Sequence, residues 1–144
     1  MAYQSARDRY VSDGAGVVPQ PRLLIMLYDR LVLDLEQADT AIGTSQLGVV
    51  NDKLCHAQSI LLELHAALDI KVWPAGEKLA QLYIWFNDEL VQANISKDAK
   101  KVRVCLRMVK ELQAAWHRAY EQVLAEQGSA TATSAAAIAA AAKA

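Results

Sequence analysis

What this chain lacks narrows it first. Charge of one sign is missing: 15 Lys and Arg stand against 16 Asp and Glu, for a net charge of −1. The whole-molecule field therefore makes no case for nucleic acid, whose binders carry a strongly basic domain or stripe. No apolar run approaches the ~18 residues of a membrane span. The opening stretch MAYQSARDRYVSDGAGVVPQ places Arg7, Asp8, Arg9 and Asp13 where a secretory leader needs an apolar core, so the chain is expected to stay in the cytosol. Cysteine is scarce too. Cys55 and Cys105 form no CxxC pattern, and in a reducing compartment both are expected to be small buried hydrophobes rather than a bridge.

Catalytic signatures are equally thin. A di-iron bundle needs Glu-x-x-His on two helices, and the sequence has none. His56, His65 and His117 lack metal-ligand spacing. A phosphotransfer histidine is disfavoured, because His56 is followed by Ala57-Gln58-Ser59-Ile60 without the nearby lysine and glycine such a helix presents. There is no Gly-rich phosphate loop and no serine elbow. The chain reads as a binder: not an enzyme, with no metal and no cofactor.

What is present is helical periodicity. The 144 residues suffice for one domain, which at this size buries roughly 68–70% of the surface its unfolded chain exposes. Residues 1–20 are polar, end in Val17-Val18-Pro19-Gln20 and predict an extended or mobile arm. Pro21 suits a first helical turn, where its missing N–H costs nothing. From there Leu24, Leu27, Tyr28, Leu31, Leu35, Ala38 and Ile42 step by three or four until Gly43. Leu47, Val50, Leu54, Ala57, Leu61, Leu64 and Leu68 mark a second helix, which Trp73-Pro74-Ala75-Gly76 interrupts. A third begins near Glu77 and carries Leu79, Leu82, Tyr83, Phe86, Leu90 and Ala93, with Asn94 as its expected left-handed cap. The fourth runs from about Asp98 to Leu124 with Val102, Cys105, Leu106, Val109, Leu112, Trp116, Tyr120 and Val123 on one face. Short connections force sequence neighbours side by side, so the expected class is all-α, an antiparallel up-and-down four-helix bundle over residues 21–127. Residues 128–144, SATATSAAAIAAAAKA after Gly128, form a low-complexity Ala-rich tail with little to bury; fraying or a weak helix is expected.

Apolar residues exceed what these stripes need. Ile25 and Val32 lie to one flank of the first helix and Met26 and Leu33 nearly opposite; Ile60, Leu62, Ile84, Trp85, Val91, Val104 and Met108 also fall off the main stripes. Each is either the widened face of a bundle helix or part of a groove for a partner segment. Lys97, Lys100, Lys101, Arg103, Arg107, Lys110 and Arg118 form a basic stripe, which is a solvated face or a site for an acidic partner.

The stretches LLIMLYDRLVLDLEQADTAI, NDKLCHAQSILLELHAALD, GEKLAQLYIWFNDELVQAN and LQAAWHRA, in this order and spacing, resemble the flagellar secretion chaperone FliS family. The resemblance spans Tyr10 to about Ala119. Arg30 stands where the family commonly has Gly, and Ala75-Gly76-Glu77 replaces its Gly-Gly-Glu. The resemblance implies a helical bundle that binds the disordered C-terminal segment of flagellin, keeps it from polymerising and delivers it to a component of the flagellar export gate. It implies a client groove containing Ile25, Tyr28, Asp29, Val32, Ile60, Leu64, Ile84 and Val91, and an arm in which Tyr3 and Tyr10 cap the groove or meet the gate. Trp116 matches the family's tryptophan and reads as core. The rival reading is a homodimeric helical-bundle adaptor without a flagellin client, its surplus apolar surface making a weak homodimer.

Overall fold

The computed structural model describes residues 20–143, with side chains through Gly128. Tyr3, Tyr10 and the arm lie outside the described residues. Four helices account for the regular structure there, and no strand occurs among the described residues: α1 (Gln20–Gly43), α2 (Leu47–Ala67), α3 (Gly76–Ser96) and α4 (Ala99–Lys143).

Each helix packs on its sequence neighbours, and α1 closes the ring against α4. With connections this short the ring is the antiparallel up-and-down bundle that the periodicity predicts. Its interior holds the predicted stripes: Leu31 and Leu35 of α1, Leu54, Leu61 and Leu64 of α2, Phe86 and Leu90 of α3, and Val102, Cys105 and Val109 of α4 are all buried. Two stripe residues depart from expectation. Leu47 opens α2 at 53% exposure, before the helix reaches its neighbours, and Val123 is 39% exposed because α4 there outruns them. At about 1.5 Å per residue, the 45 residues of α4 reach about 68 Å, against about 36 Å for the 24 of α1.

Helix ends follow local chemistry. Beyond Gly43 the chain turns through Ser45 at φ 56, with Gln46 N–H donating to Ala41 O at 2.9 Å. The left-handed cap of α3 is Lys97, at φ 51 and ψ 46, and not Asn94. The Asp98 N–H closes that turn on Ala93 O at 3.0 Å, which leaves Asn94 inside the helix. There the Asn94 side chain donates to Asn51 Oδ1 at 2.9 Å and ties α3 to α2. Asp98 then caps α4, its carboxylate accepting from Lys100 N–H at 2.9 Å.

The helix does not end at Gly128, since α4 continues through the Ala-rich tail to Lys143. A helix already nucleated and packed upstream extends at little cost into a run of alanine, the best helix former. Both cysteines are free thiols, but only Cys105 is buried. Cys55 is exposed on the outer side of α2, 3.7 Å from Asn51 Oδ1, because the second helix turns that position away from the core.

Candidate functional site

The sequence pattern leaves surplus apolar residues, and the structure sorts them. Ile25 and Val32 are each 7% exposed and Ile60 is 5% exposed, so these three widen the buried face of their helices. Met26, Leu33, Leu62, Ile84, Trp85, Val91 and Val104 stay exposed, and Met108 packs partly against the core.

A groove of about 420 Å³ opens where the start of α1, the end of α2, the α2–α3 connection and the middle of α4 converge. Pro21, Leu24, Ile25 and Leu27 come from α1, and Leu64, Ala67 and Leu68 from α2. Val72 and Trp73 come from the connection, Tyr83 from α3, and Trp116, Tyr120 and Val123 from α4. Asp69 is the charged residue among the groove's walls. The groove lies where the helices differ in length: α2 stops at Ala67 while α4 runs on, its side chains exposed throughout from 121 to 128. Around Tyr83 the wall continues to a smaller depression of about 120 Å³ between α2 and α3, lined by Leu61, Leu62, His65, Ile84 and Asn87.

The expected groove residues divide accordingly. Ile25 and Leu64 line the groove floor, and Ile84 lines the smaller depression. Tyr28, Val32 and Ile60 line neither depression and are packed into the core cluster. Val91 is exposed on α3 outside both depressions. Asp29 faces α4, where its Oδ1 accepts from Gln113 Nε2 and meets His117 Nε2, each at 2.9 Å. It pins α1 to α4 beside the groove.

An aromatic chain runs from the rim of the groove into the core. Trp73 meets Trp116 edge-on with ring centroids 6.4 Å apart, Trp116 meets Tyr28 at 6.4 Å, and Tyr28 meets Tyr83 at 6.5 Å with their hydroxyls 2.6 Å apart. Burial pushes the Tyr28 phenol above its ordinary value, against the hydrogen bonds from Tyr83 and Trp116 that favour the charged form. Tyr83 is raised by burial first and by the neighbouring Tyr28 second. Burial, helped by Glu89 and opposed by Lys101, pushes the Cys105 thiol up to about 12. None of these groups ionises near neutral pH, so Tyr83 meets the groove as a neutral phenol.

The basic stripe is partly spoken for. Lys101 pairs with Glu89 at 3.3 Å, Arg103 with Asp39 at 3.0 Å and Lys110 with Glu36 at 3.1 Å, each across a helix boundary. Those residues fasten α4 to α3 and α1. At the α1–α2 seam, Asp34 is fully buried beneath His56 Nδ1 and Arg30 Nη2, the latter 3.1 Å from its Oδ1. Among the described residues no group of three or more His, Cys, Asp or Glu could hold a metal ion, and no helix is long and apolar enough to cross a membrane.

Sequence reasoning missed Trp73, Val72, Leu68 and Tyr120 as groove residues. Trp73 and Val72 sit in a connection, where no periodicity applies; the signal was a tryptophan beside Pro74 in a loop, a place that offers a large apolar ring nothing to bury against.

The chain matches the family described as flagellar protein FliS over residues 2–123. It is also similar to the flagellar secretion chaperone FliS of Bacillus subtilis (strain 168), with 26% identity over 121 residues that cover 84% of this chain and 90% of that protein.

Proposed function

This chain belongs to the FliS family of flagellar proteins, and from that membership we propose that it is a cytosolic flagellin chaperone. It clamps the disordered C-terminal segment of flagellin, holds it back from polymerising and presents it to a component of the flagellar export gate. The observation that carries the reading is the open apolar groove at the α1, α2 and α4 junction, whose floor includes Ile25 and Leu64 and whose walls are Leu24, Leu27, Leu68, Trp73, Trp116 and Tyr120. An amphipathic segment recognises such a surface by laying large apolar side chains into it. Ordering a disordered segment costs about 2–5 kcal/mol of the gross interaction energy, so the contact has to be long as well as greasy. The depression at Leu62 and Ile84 extends the path around Tyr83, and exposed Val91 lies farther along α3.

Calorimetric titration with a C-terminal flagellin peptide from the same cell tests this. Saturable binding at one peptide per chain, with a negative heat-capacity change, is expected. Absence of binding together with a concentration-dependent dimer in sedimentation would replace the clamp with the homodimeric adaptor.

A further inference from the structure

Trp73 is 45% exposed at the rim of the groove, yet its backbone and two sides of its ring are held. Its N–H donates to Asp69 O at 2.8 Å, and its carbonyl accepts from Gly76 N–H at 2.9 Å. The Asp69 carboxylate accepts from Lys71 N–H at 3.1 Å and Val72 N–H at 3.3 Å, so the connection is a set of closed turns. The indole itself lies over Gly76. A Cβ at residue 76 would stand 2.9 Å from Trp73 Cε3, nearer than side chains tolerate, and in contact with Cζ3 at 3.4 Å. Gly76 does not have a positive φ, so the missing side chain and not backbone freedom is what the site uses. On its other side the ring abuts Trp116 at 74°.

Resting on the client reading above, we propose that Trp73 is a specificity-determining residue of the groove and that Gly76 is its positioning residue. The indole closes the end of the groove nearest the α2–α3 connection and, with Leu68 and Trp116, makes a socket for one large apolar side chain of the bound segment. Half of the ring is already buried and the turns beneath it are closed, so the socket is largely formed before the client arrives and little ordering cost falls on binding. A side chain on residue 76 displaces the ring, and because Trp116 touches it, the displacement reaches the groove floor.

The test uses the full chain carrying 5-fluorotryptophan, whose three tryptophans give separate fluorine resonances. Gly76→Ala is expected to move the Trp73 and Trp116 signals and leave Trp85 in place. With the flagellin peptide, Trp73→Ala weakens binding about tenfold or more and Gly76→Ala about threefold, while Gly76→Ala in the Trp73→Ala background costs less than about twofold. Among peptides with each large apolar residue changed in turn to Ala, one change costs the wild type about tenfold but costs Trp73→Ala less than about threefold. Binding by Trp73→Ala within about twofold of wild type, or a Gly76→Ala loss undiminished in that background, overturns the proposal. If the wild type ignores flagellin altogether, the client reading fails separately. The same variants are then read with anilinonaphthalene sulfonate, an apolar-groove dye: lost dye binding in Trp73→Ala upholds the socket, and unchanged dye binding removes it.

Discussion

Tyr28 of α1 and Tyr83 of α3 meet hydroxyl to hydroxyl at 2.6 Å, joining two helices that lie diagonally across the bundle and share no backbone contact. Both side chains are essentially buried, at 0% and 2% exposure, so neither hydroxyl has water to fall back on. Removing one partner should cost more than removing both. Tyr83→Phe is expected to destabilise by about 1–3 kcal/mol, with the Tyr28→Phe, Tyr83→Phe pair costing less than the sum of the singles. Urea melts of the four proteins measure the coupling, and strict additivity would dissolve the bond's importance.

The same burial makes the bundle sensitive to alkali. Tyr28, Tyr83 and Cys105 hold their protons more tightly folded than unfolded, relative to ordinary values of 10.0, 10.0 and 9.0. Groups raised in this way contribute their stability fully below those ordinary values, and it is lost as pH rises beyond them, the thiol's share vanishing at about 12. Stability should be flat to about pH 9 and then fall, approaching 1.4 kcal/mol per pH unit for each group past its unfolded value. In the double Phe variant the decline above about pH 10 should shrink to the share of Cys105, and an unchanged slope between about pH 10 and 12 would refute the assignment.

Asp34 is a buried carboxylate whose partners, His56 and Arg30, are half exposed, with side chains 52% and 44% accessible. Removing His56 leaves the buried carboxylate to Arg30 alone, whereas removing Asp34 lets both partners return to water. His56→Ala is therefore expected to cost about 1–3 kcal/mol, and Asp34→Leu in that background should recover much of it. Equal stability of His56→Ala and wild type in chemical denaturation would show that Arg30 alone compensates Asp34.

Position now separates surface from core among look-alike residues. Val32→Asp buries an unpaired charge at a site 7% exposed and should lower stability by about 3 kcal/mol or more. Ile84→Asp, at a site 53% exposed, should stay within about 0.5 kcal/mol. Circular dichroism melts distinguish the two, and a folded, wild-type-like Val32→Asp protein would return that residue to the groove.

Truncation after Gly128 removes the Ala-rich end of a helix whose preceding residues, 121–128, are exposed throughout. The shortened chain is expected to melt within a few tenths of a kcal/mol of the full one, since the tail is made mostly of small side chains with little apolar area to bury. A loss of cooperativity would mean that the tail packs back on the bundle.

The helices, their order and nearly every core residue were legible in the sequence, because a period of 3.6 residues places a stripe such as Leu31, Leu35 and Ala38 on one face whatever that face meets. Leu31, Leu35 and Ala38 are indeed fully buried. Periodicity cannot say how wide a buried face is, since that depends on the crossing and length of neighbouring helices. Ile25 and Val32 on α1 looked no different from Met26 and Leu33, yet the first two are covered by the bundle and the others face out. Tyr28 fell on the main stripe and, through the family resemblance, in the expected groove; its hydroxyl meets Tyr83 across the core. The groove itself was invisible for the same reason: it arises where α2 ends at Ala67 and α4 does not, and where Trp73 comes to rest on the bare backbone of Gly76. Local pattern determined which residues form helices and which way each stripe faces; only the packing of four unequal helices decided which apolar side chains remain open to a partner.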